Sequence, residues 1–210
     1  MNDTTLADAG PPAEATLSTQ DWIDAARRML IRDGVGALKI DRLAKECNVT
    51  RGGFYWRFKS REDLLAKLLE EWRRVNTSPM LEVFKDAGSP AQRLRDAAEL
   101  WIREEEFDPM FDTAVRAWAA TSTQAAAVVK EVDEIRIQAF RDVFVEAGYS
   151  DIEALVRARI FYFHQVGYYT LGLNESTERR HDLFEHYYRA LTGLDWDQTH
   201  PSTSRARSSD

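Results

Sequence analysis

The stretch from Lys39 to Leu64 constrains the fold of this chain more than any other segment. Apolar residues first recur at helical spacing in Ile40 and Leu43, and the pattern then breaks at residues 47–49. A second short helix is predicted after the break, because the hydroxyl of Thr50 can cap the backbone N–H groups of a first turn. Two short helices joined by a tight turn are typical of a helix-turn-helix.

The second helix of this pair has one apolar face and one polar face. Phe54 and Phe58 lie four residues apart, so both can pack against Leu43 of the preceding helix. The first residues of such a second helix meet base edges in the major groove of DNA. An arginine can bond to guanine through two donors, and glycines let the backbone approach the bases closely. We therefore expect base contacts from five residues: Arg51, Gly52, Gly53, Tyr55 and Trp56.

The same stretch is a basic island on an acidic chain. From Lys39 to Arg61 there are seven basic and two acidic side chains, whereas the whole chain has 28 basic and 35 acidic ones and a net charge of −7. Such a concentration of cations predicts phosphate binding, although a solvated helix face is the simpler alternative. The residues expected to contact phosphate are Thr19, Lys39, Arg42, Thr50, Tyr55, Arg57, Lys59 and Arg61.

A set of residues in this segment and in the helix before it follows a fixed order: Ala25, Gly34, Ile40, Leu43, Ala44, Val49, Gly52, Phe54, Tyr55, Phe58, Arg61, Glu62 and Leu64. A helix ending in glycine is followed by motifs similar to I-A, G-V, L-Y-x-x-F and K-E-x-L. In this order, residues 18–75 resemble the DNA-binding domain of the tetracycline-repressor (TetR) family of bacterial transcription regulators. The chain departs from the family pattern at Lys39, where Thr or Ser usually opens the second helix, and at Arg61, which replaces a lysine.

The resemblance implies an all-α fold with an N-terminal three-helix helix-turn-helix DNA-binding domain and a C-terminal helical domain for ligand binding and dimerisation. In this family the helix predicted at residues 60–75 links the two domains, so that its tilt sets the spacing of the DNA-binding heads. The pattern breaks at residues 76–79, where we place the domain boundary. The expected segments are a disordered leader (1–17), the DNA-binding domain (18–75), the effector-binding and dimerisation domain (76–194) and a disordered tail (195–210).

Composition excludes several other classes of protein. No run of about eighteen apolar residues exists, and no basic and apolar leader precedes the first helix, so we expect neither a membrane span nor a secretory signal. The single cysteine, Cys47, excludes an internal disulfide. The four histidines are scattered and no nucleophile motif or phosphate loop is present, so we expect no catalytic residue, metal site or cofactor. These features favour the bacterial cytoplasm, with the protein associated with the nucleoid.

The residues after position 79 are helical wherever they are regular, and two of the helices have surplus apolar surface. The helix predicted at 151–172 is apolar nearly all round, and the last helix carries paired apolar stripes. A twofold interface of two helices from each chain would bury this surplus and is also the family's dimer, although a thicker monomer core would absorb it too. The predicted helices are 79–86, 90–105, 108–120, 123–147, 151–172 and 177–192. The side chains expected at the dimer interface are Phe161, Tyr169, Phe184 and Tyr188.

The same helical domain is expected to hold an effector site. Cavities for apolar or aromatic ligands are lined by large side chains with a few polar anchors. Each such side chain is also an ordinary core residue, so the set is only a pointer. The candidates are Trp72, Trp101, Phe107, Phe111, Trp118, Tyr162, His164 and Tyr168.

These observations together predict a homodimeric, sequence-specific DNA-binding regulator of transcription. We expect a repressor that an effector, a small molecule of unknown identity, releases from a palindromic double-stranded operator. One alternative is a DNA-binding dimer that needs no ligand. A second is a helical enzyme or carrier on which the basic patch is incidental.

Overall fold

The structure is a computed structural model that describes residues 17–194. The disordered leader and tail expected from the sequence lie outside these residues, apart from Leu17. The all-α prediction is confirmed for the described residues, which contain no strand. None of their helices is long and apolar enough to cross a membrane. The helices are α1 (Thr19–Asp33), a short 3-10 helix (Val35–Ala37), α2 (Ile40–Glu46), α3 (Arg51–Tyr55), α4 (Arg61–Val83), α5 (Pro90–Arg103), α6 (Pro109–Ala119), α7 (Thr123–Glu146), α8 (Asp151–Thr170) and α9 (Thr177–Thr192).

Side-chain caps explain where most of these helices begin. Ser18 accepts a hydrogen bond from the backbone of Asp21, whose carboxylate accepts in return from the backbone of Ser18, so α1 starts with a full capping box. The helices α5 to α9 each begin after a serine or aspartate that accepts from a backbone N–H of the first turn. Such caps are local in sequence, which is why these helix starts were predictable to within a residue.

The chain packs into two compact units, and the division falls inside α4 after Leu68. In the first unit an aromatic cluster forms the core. The ring of Phe54 meets Trp22 edge-on at 5.5 Å and stacks on Phe58 at 5.1 Å between ring centroids. All three side chains are at most 1% exposed. Leu43 and Leu64 complete this core, so the short helix α3 is held in place by its own buried side.

In the second unit the helices α5, α7, α8 and α9 surround one apolar core, with the end of α4 against it. Its centre is a group of aromatic rings, in which Phe140 lies 5.0 Å from Phe161 and 5.6 Å from Trp101. The most extensive contact between two helices is that of α7 with α8. Aromatic rings in such edge-to-face and tilted pairs contribute about 0.5–1.5 kcal/mol each beyond their buried area.

The prediction that the linking helix ends near Val75 is wrong, because α4 continues through the polar break to Val83 with Pro79 inside it. Proline has no N–H to bond to the carbonyl four residues earlier, and it normally kinks or ends a helix. Here the guanidinium of Arg136, from α7, donates to the backbone carbonyl of Asn76 at 3.0 Å and to the hydroxyl of Thr77. A side chain that is distant in sequence therefore binds the polar residues of α4 that precede Pro79.

Arg136 belongs to a buried polar network that joins α4, α6, α7 and α8. Its guanidinium and that of Arg116 both donate to the carboxylate of Asp112, at 3.3 and 2.8 Å. The indole of Trp72 donates to the same carboxylate at 3.0 Å. Arg116 also pairs with Asp133, so two cations meet two anions. The group is therefore neutral as a whole, which is the condition for burying charge.

The protonation states in this network follow from the contacts. Burial alone would raise the pKa of the Asp112 carboxyl, but the guanidinium groups of Arg136 and Arg116 outweigh it and hold that pKa below its ordinary value of 3.8. Burial raises the pKa of Tyr162 to about 12. The Tyr162 hydroxyl therefore stays protonated, and it donates to Asp133 at 2.6 Å while it accepts from both arginines.

We expect Asp112→Asn to destabilise the protein by about 3–5 kcal/mol at neutral pH, because the change leaves two buried guanidinium groups with one carboxylate. Urea unfolding followed by tryptophan fluorescence measures this loss. Asp182→Asn, at an exposed position of α9, is the control and should change stability by less than about 0.5 kcal/mol. Because the folded pKa of Asp112 is the lower one, its contribution is full above pH 3.8 and is lost as the pH falls through the folded value. Equal effects of the two substitutions would contradict the network.

Candidate functional site

The first candidate site is the surface formed by α2, the turn after it and α3. The turn is made by Cys47 to Thr50, and Asn48 takes a left-handed conformation with φ of 54°. Asparagine tolerates this conformation better than most residues. The backbone N–H of Val49 donates to the carbonyl of Ala44, which closes the turn tightly. Thr50 precedes α3 in extended conformation, but its hydroxyl makes no cap bond within the described residues, unlike our expectation.

The outer face of α3 carries the residues predicted to contact bases. Trp56 is 88% exposed and Tyr55 is 53% exposed, although both are large aromatic side chains. Arg51 and Gly52 are exposed as well, and Gly53 is half-buried. Exposed aromatic rings beside an arginine are unusual on a surface that serves only to face water.

The packing of the protein itself does not require glycine at positions 52 and 53. A Cβ atom added at Gly52 would meet only the hydroxyl of Thr50, at 3.5 Å. One added at Gly53 would meet the ring of Trp22 at 3.8 Å, which is an ordinary contact. The open space in front of these glycines is therefore available to a partner that approaches the backbone of α3.

Arg51 is held by a neighbouring carboxylate in this structure. Its Nε lies 2.9 Å from Asp41 Oδ1 on α2, and both side chains are more than half exposed. Asp41 is not among the site residues predicted from the sequence. An exposed ion pair of this kind contributes at most about 1 kcal/mol to stability. A stronger hydrogen-bond acceptor can therefore replace Asp41 as the partner of Arg51.

The residues predicted to contact phosphate fall into two groups. Three arginines are engaged by the protein: Arg42 pairs with Asp33 at 2.6 Å, and Arg57 donates to the carbonyl of Leu17. Arg61 is partly buried, and its guanidinium donates to the backbone carbonyls at positions 38 and 35, at 2.5 and 3.0 Å. Arg61 thus holds the short 3-10 helix and the residue after it in place.

The other predicted phosphate contacts are more accessible. Lys39 and Lys59 are exposed, and within residues 17–194 neither ammonium group has a carboxylate partner. Tyr55 and Thr50 are exposed and Thr19 is half-buried. The two lysines flank α3 in sequence and carry the positive charge that the protein leaves unneutralised there.

The second candidate site is a cavity of about 70 Å³ between α5, α8 and α9 that opens to solvent. Three of the predicted effector residues, Trp101, His164 and Tyr168, lie on its wall. The other five do not line it. Trp72 and Tyr162 belong to the polar network, and the remaining three are buried in the core: Phe107, Phe111 and Trp118.

The cavity wall is mostly aromatic, with few polar groups. Burial lowers the pKa of His164, so its imidazole is neutral at neutral pH. Arg180 donates to Glu104 and to the carbonyl of Trp101, each at 2.5 Å, which ties α9 to the end of α5. Gln165 is 3% exposed. The predictions from sequence omitted Arg180 and Gln165, since neither belongs to an apolar stripe.

The third candidate site is an apolar stripe on α8. Ile152, Val156, Ile160 and Phe163 are between 48% and 80% exposed and recur every three or four residues. Of the residues predicted for the dimer interface, three are buried inside the second unit and one is partly buried, so the rotation of α8 and α9 differs from the prediction. These four are Phe161, Tyr169, Phe184 and Tyr188.

The comparisons with known proteins agree with the first site. The family model for bacterial regulatory proteins of the tetR family matches residues 23–68. The HTH-type transcriptional regulators AcrR of Shigella flexneri and SrpR of Pseudomonas putida are each 37% identical to this chain over 57 residues, or 27% of the chain. The matched stretch spans only about a quarter of those relatives, 26% of AcrR and 27% of SrpR.

Solved structures resemble the chain over more of its length. Salmonella enterica GusR has a TM-score of 0.66 at 20% identity and covers 89% of this chain and 98% of its own. AibR, solved in complex with isovaleryl coenzyme A and operator DNA, has a TM-score of 0.61 at 16% identity and covers 83% and 97%. At these identities the likeness concerns the fold. The helix-turn-helix domain at residues 23–68 therefore belongs to the tetR family of bacterial regulatory proteins.

Proposed function

We propose that this protein is a homodimeric, sequence-specific DNA-binding regulator of transcription, acting at nucleoid DNA in the bacterial cytoplasm. The proposal specifies a repressor that leaves a palindromic operator when a small molecule binds. The observation that carries it is the outer face of α3, where Arg51, Tyr55 and Trp56 stand exposed around two glycines that the protein's own packing does not require.

The chemistry of this face suits base edges in a major groove. The guanidinium of Arg51 can bond to the two acceptors of guanine once it leaves Asp41. Tyr55 and Trp56 offer apolar ring surface for contacts such as the methyl group of thymine. The backbone at Gly52 can approach closely, because no side chain stands in front of it.

Phosphate contacts would set the position of this helix on the duplex. Lys39 and Lys59 are the accessible cations on either side of α3 and have no carboxylate partner in the described residues. Arg42 and Arg57 can add to them at the expense of weak surface contacts. Lysine contacts of this kind bind all DNA sequences alike and weaken as salt rises.

Dimerisation through the exposed stripe of α8 would present two copies of α3 to two half-sites. An exposed row of Ile152, Val156, Ile160 and Phe163 is apolar surface of the kind that a second subunit buries. A twofold dimer reads a palindrome, because its two recognition helices are related by the same symmetry as the half-sites.

The cavity of the second unit is the proposed effector site. AibR has a similar fold and offers a parallel, since that protein was solved with both isovaleryl coenzyme A and operator DNA. In this chain α4 runs without interruption from the helix-turn-helix unit into the second unit, where the polar network holds Trp72, Asn76 and Thr77. A ligand that moves α8 would therefore act on the helix that leads to the DNA-binding residues.

Selection from random double-stranded DNA with the full-length protein tests the proposal. We expect enrichment of a palindrome whose half-sites lie about one helical turn apart. A footprint on DNA beside the protein's own gene would then locate a natural operator. Recovery of no preferred sequence would contradict the proposal and favour the helical enzyme or carrier.

Replacing Arg51 by alanine should relax the base preference at one position of each half-site by about 1–3 kcal/mol, because the bidentate contact to guanine is lost. Affinities for the selected palindrome and for single-base variants measure this change. Arg103→Ala, at an exposed arginine of α5, is the matched control and should leave the preference intact. The assignment of Arg51 fails if specific and random DNA lose affinity equally.

Replacing Lys59 by alanine should weaken binding to all sequences alike, since its proposed contact is to phosphate. The plot of log affinity against log salt should become shallower by about one for each subunit. Lys130→Ala, at an exposed lysine of α7, keeps the same net charge as the variant and should leave the slope unchanged. A loss confined to one base position would mean that Lys59 reads sequence instead.

Ile160→Asp should convert the dimer to monomers, because two carboxylates would have to be buried at the twofold interface. We expect the dimer to weaken by about a hundredfold or more, as measured by sedimentation velocity. Met110→Asp changes an equally exposed apolar residue at the start of α6 and is the control. A variant at position 160 that remains dimeric would exclude the α8 stripe as the interface.

A further inference from the structure

The cavity of the second unit contains a buried polar side chain that the protein leaves unpaired. Gln165 lies on α8 in the cavity wall and is 3% exposed. Neither its amide nitrogen nor its amide oxygen has a hydrogen-bond partner in the structure, and both atoms are buried. A buried amide without hydrogen-bond partners loses its bonds to water and gains none in return, so the position is unfavourable unless something pairs with it.

The hydroxyl groups of three tyrosines of the wall are already engaged. Tyr169 donates its hydroxyl to the carbonyl of Trp101, and Tyr188 donates to the carbonyl of Ala91. Tyr168 donates to Glu175. Among the described residues of the wall, Gln165 is thus the buried group that still offers both a donor and an acceptor.

The charges of the wall are balanced without a ligand. Arg180 is paired with Glu104, and the carboxylate of Glu175 accepts from Tyr168. His164 is partly buried, packs its ring against Tyr187 at 4.6 Å, and is uncharged at neutral pH. An anionic ligand would find no free cation among these groups and would lose its hydration, and the carboxylate of Glu175 is at an exposed position where water solvates it.

The rest of the wall favours flat, apolar molecules. Seven of the fourteen described residues that line the cavity are Phe, Tyr or Trp, and Ile102 and Leu191 add aliphatic surface. Aromatic rings pack best against other rings in offset or edge-on arrangements. The aromatic wall, the lack of a free cation and the unpaired amide of Gln165 therefore all limit which ligands can bind.

We infer that this cavity binds an uncharged aromatic molecule that carries a hydrogen-bond donor and an acceptor side by side, both of which pair with the side-chain amide of Gln165. A primary amide or a lactam on an aromatic ring has this arrangement. The inference rests on the proposed function only where it identifies the ligand as the effector, because binding itself needs no DNA.

Three single-ring compounds of nearly equal shape separate the requirements. In benzamide the group is an uncharged donor and acceptor, in acetophenone it is an acceptor alone, and in benzoate it is an anion. Isothermal titration calorimetry with the full-length protein should show the amide binding about tenfold more tightly than either of the others. Equal or tighter binding of the anion would overturn the inference.

Gln165→Leu tests the role of the side chain, and Gln138→Leu, at an exposed position of α7, is its control. The variant at position 165 should bind the amide no more tightly than the ketone, whereas the control should keep the tenfold preference. The unfolding midpoint of Gln165→Leu in urea should equal or exceed that of the unchanged protein, because an unpaired buried amide is replaced by an apolar group. A strongly destabilised variant, or one that keeps the preference, would refute the pairing.

The two proposals fail in different ways. If none of the three compounds binds a protein that still selects a palindrome, the ligand class is wrong and the proposed function stands. If the amide binds in a manner that depends on Gln165 but no DNA sequence is selected, the ligand site stands and the regulator is refuted.

Discussion

The second unit depends on a neutral cluster of buried charges centred on Asp112. This one carboxylate accepts from α4 through Trp72, from its own helix through Arg116, and from α7 through Arg136. Any helix that shifted would leave one of these ions without its partner, at a cost far above that of losing a surface contact. The cluster therefore fixes the register of three helices, while the aromatic core between α5, α7, α8 and α9 supplies most of the apolar burial.

The helix-turn-helix unit is organised by a different kind of interaction. It contains no buried ion pair among its described residues, and its core is the group of rings around Phe54. The turn between α2 and α3 is shaped by the backbone, through Asn48 and the bond from Val49 to Ala44. Arg61 then fixes the preceding segment by donating to two backbone carbonyls. Packing, backbone geometry and Arg61 thus hold the surface of α3 rigidly, while Lys39 and Lys59 stay exposed.

Helices and their starts were predictable from sequence, because the caps at Ser18 and Asp108 and the apolar spacing act within one or two turns. The continuation of α4 past Pro79 was not predictable, because proline normally ends a helix and the contacts of Asn76 and Thr77 with Arg136 join residues about sixty positions apart. The cavity was predictable only in part for a similar reason. Tyr162 and Tyr168 look alike in the sequence, but one joins the polar network and the other faces a void, and the rotation of α8 decides which.

The interleaving of residues along α3 has a consequence for how such a protein can change by mutation. Phe54 and Phe58 carry the stability of the helix, whereas Arg51, Gly52 and Trp56 contribute little to the core. Substitutions at these outward positions are therefore nearly independent of folding. Under the proposed function, a lineage can change its operator sequence there without first acquiring compensating changes in the interior. The buried rings are required for folding and are expected to stay constant, whereas the exposed positions are free to vary under selection.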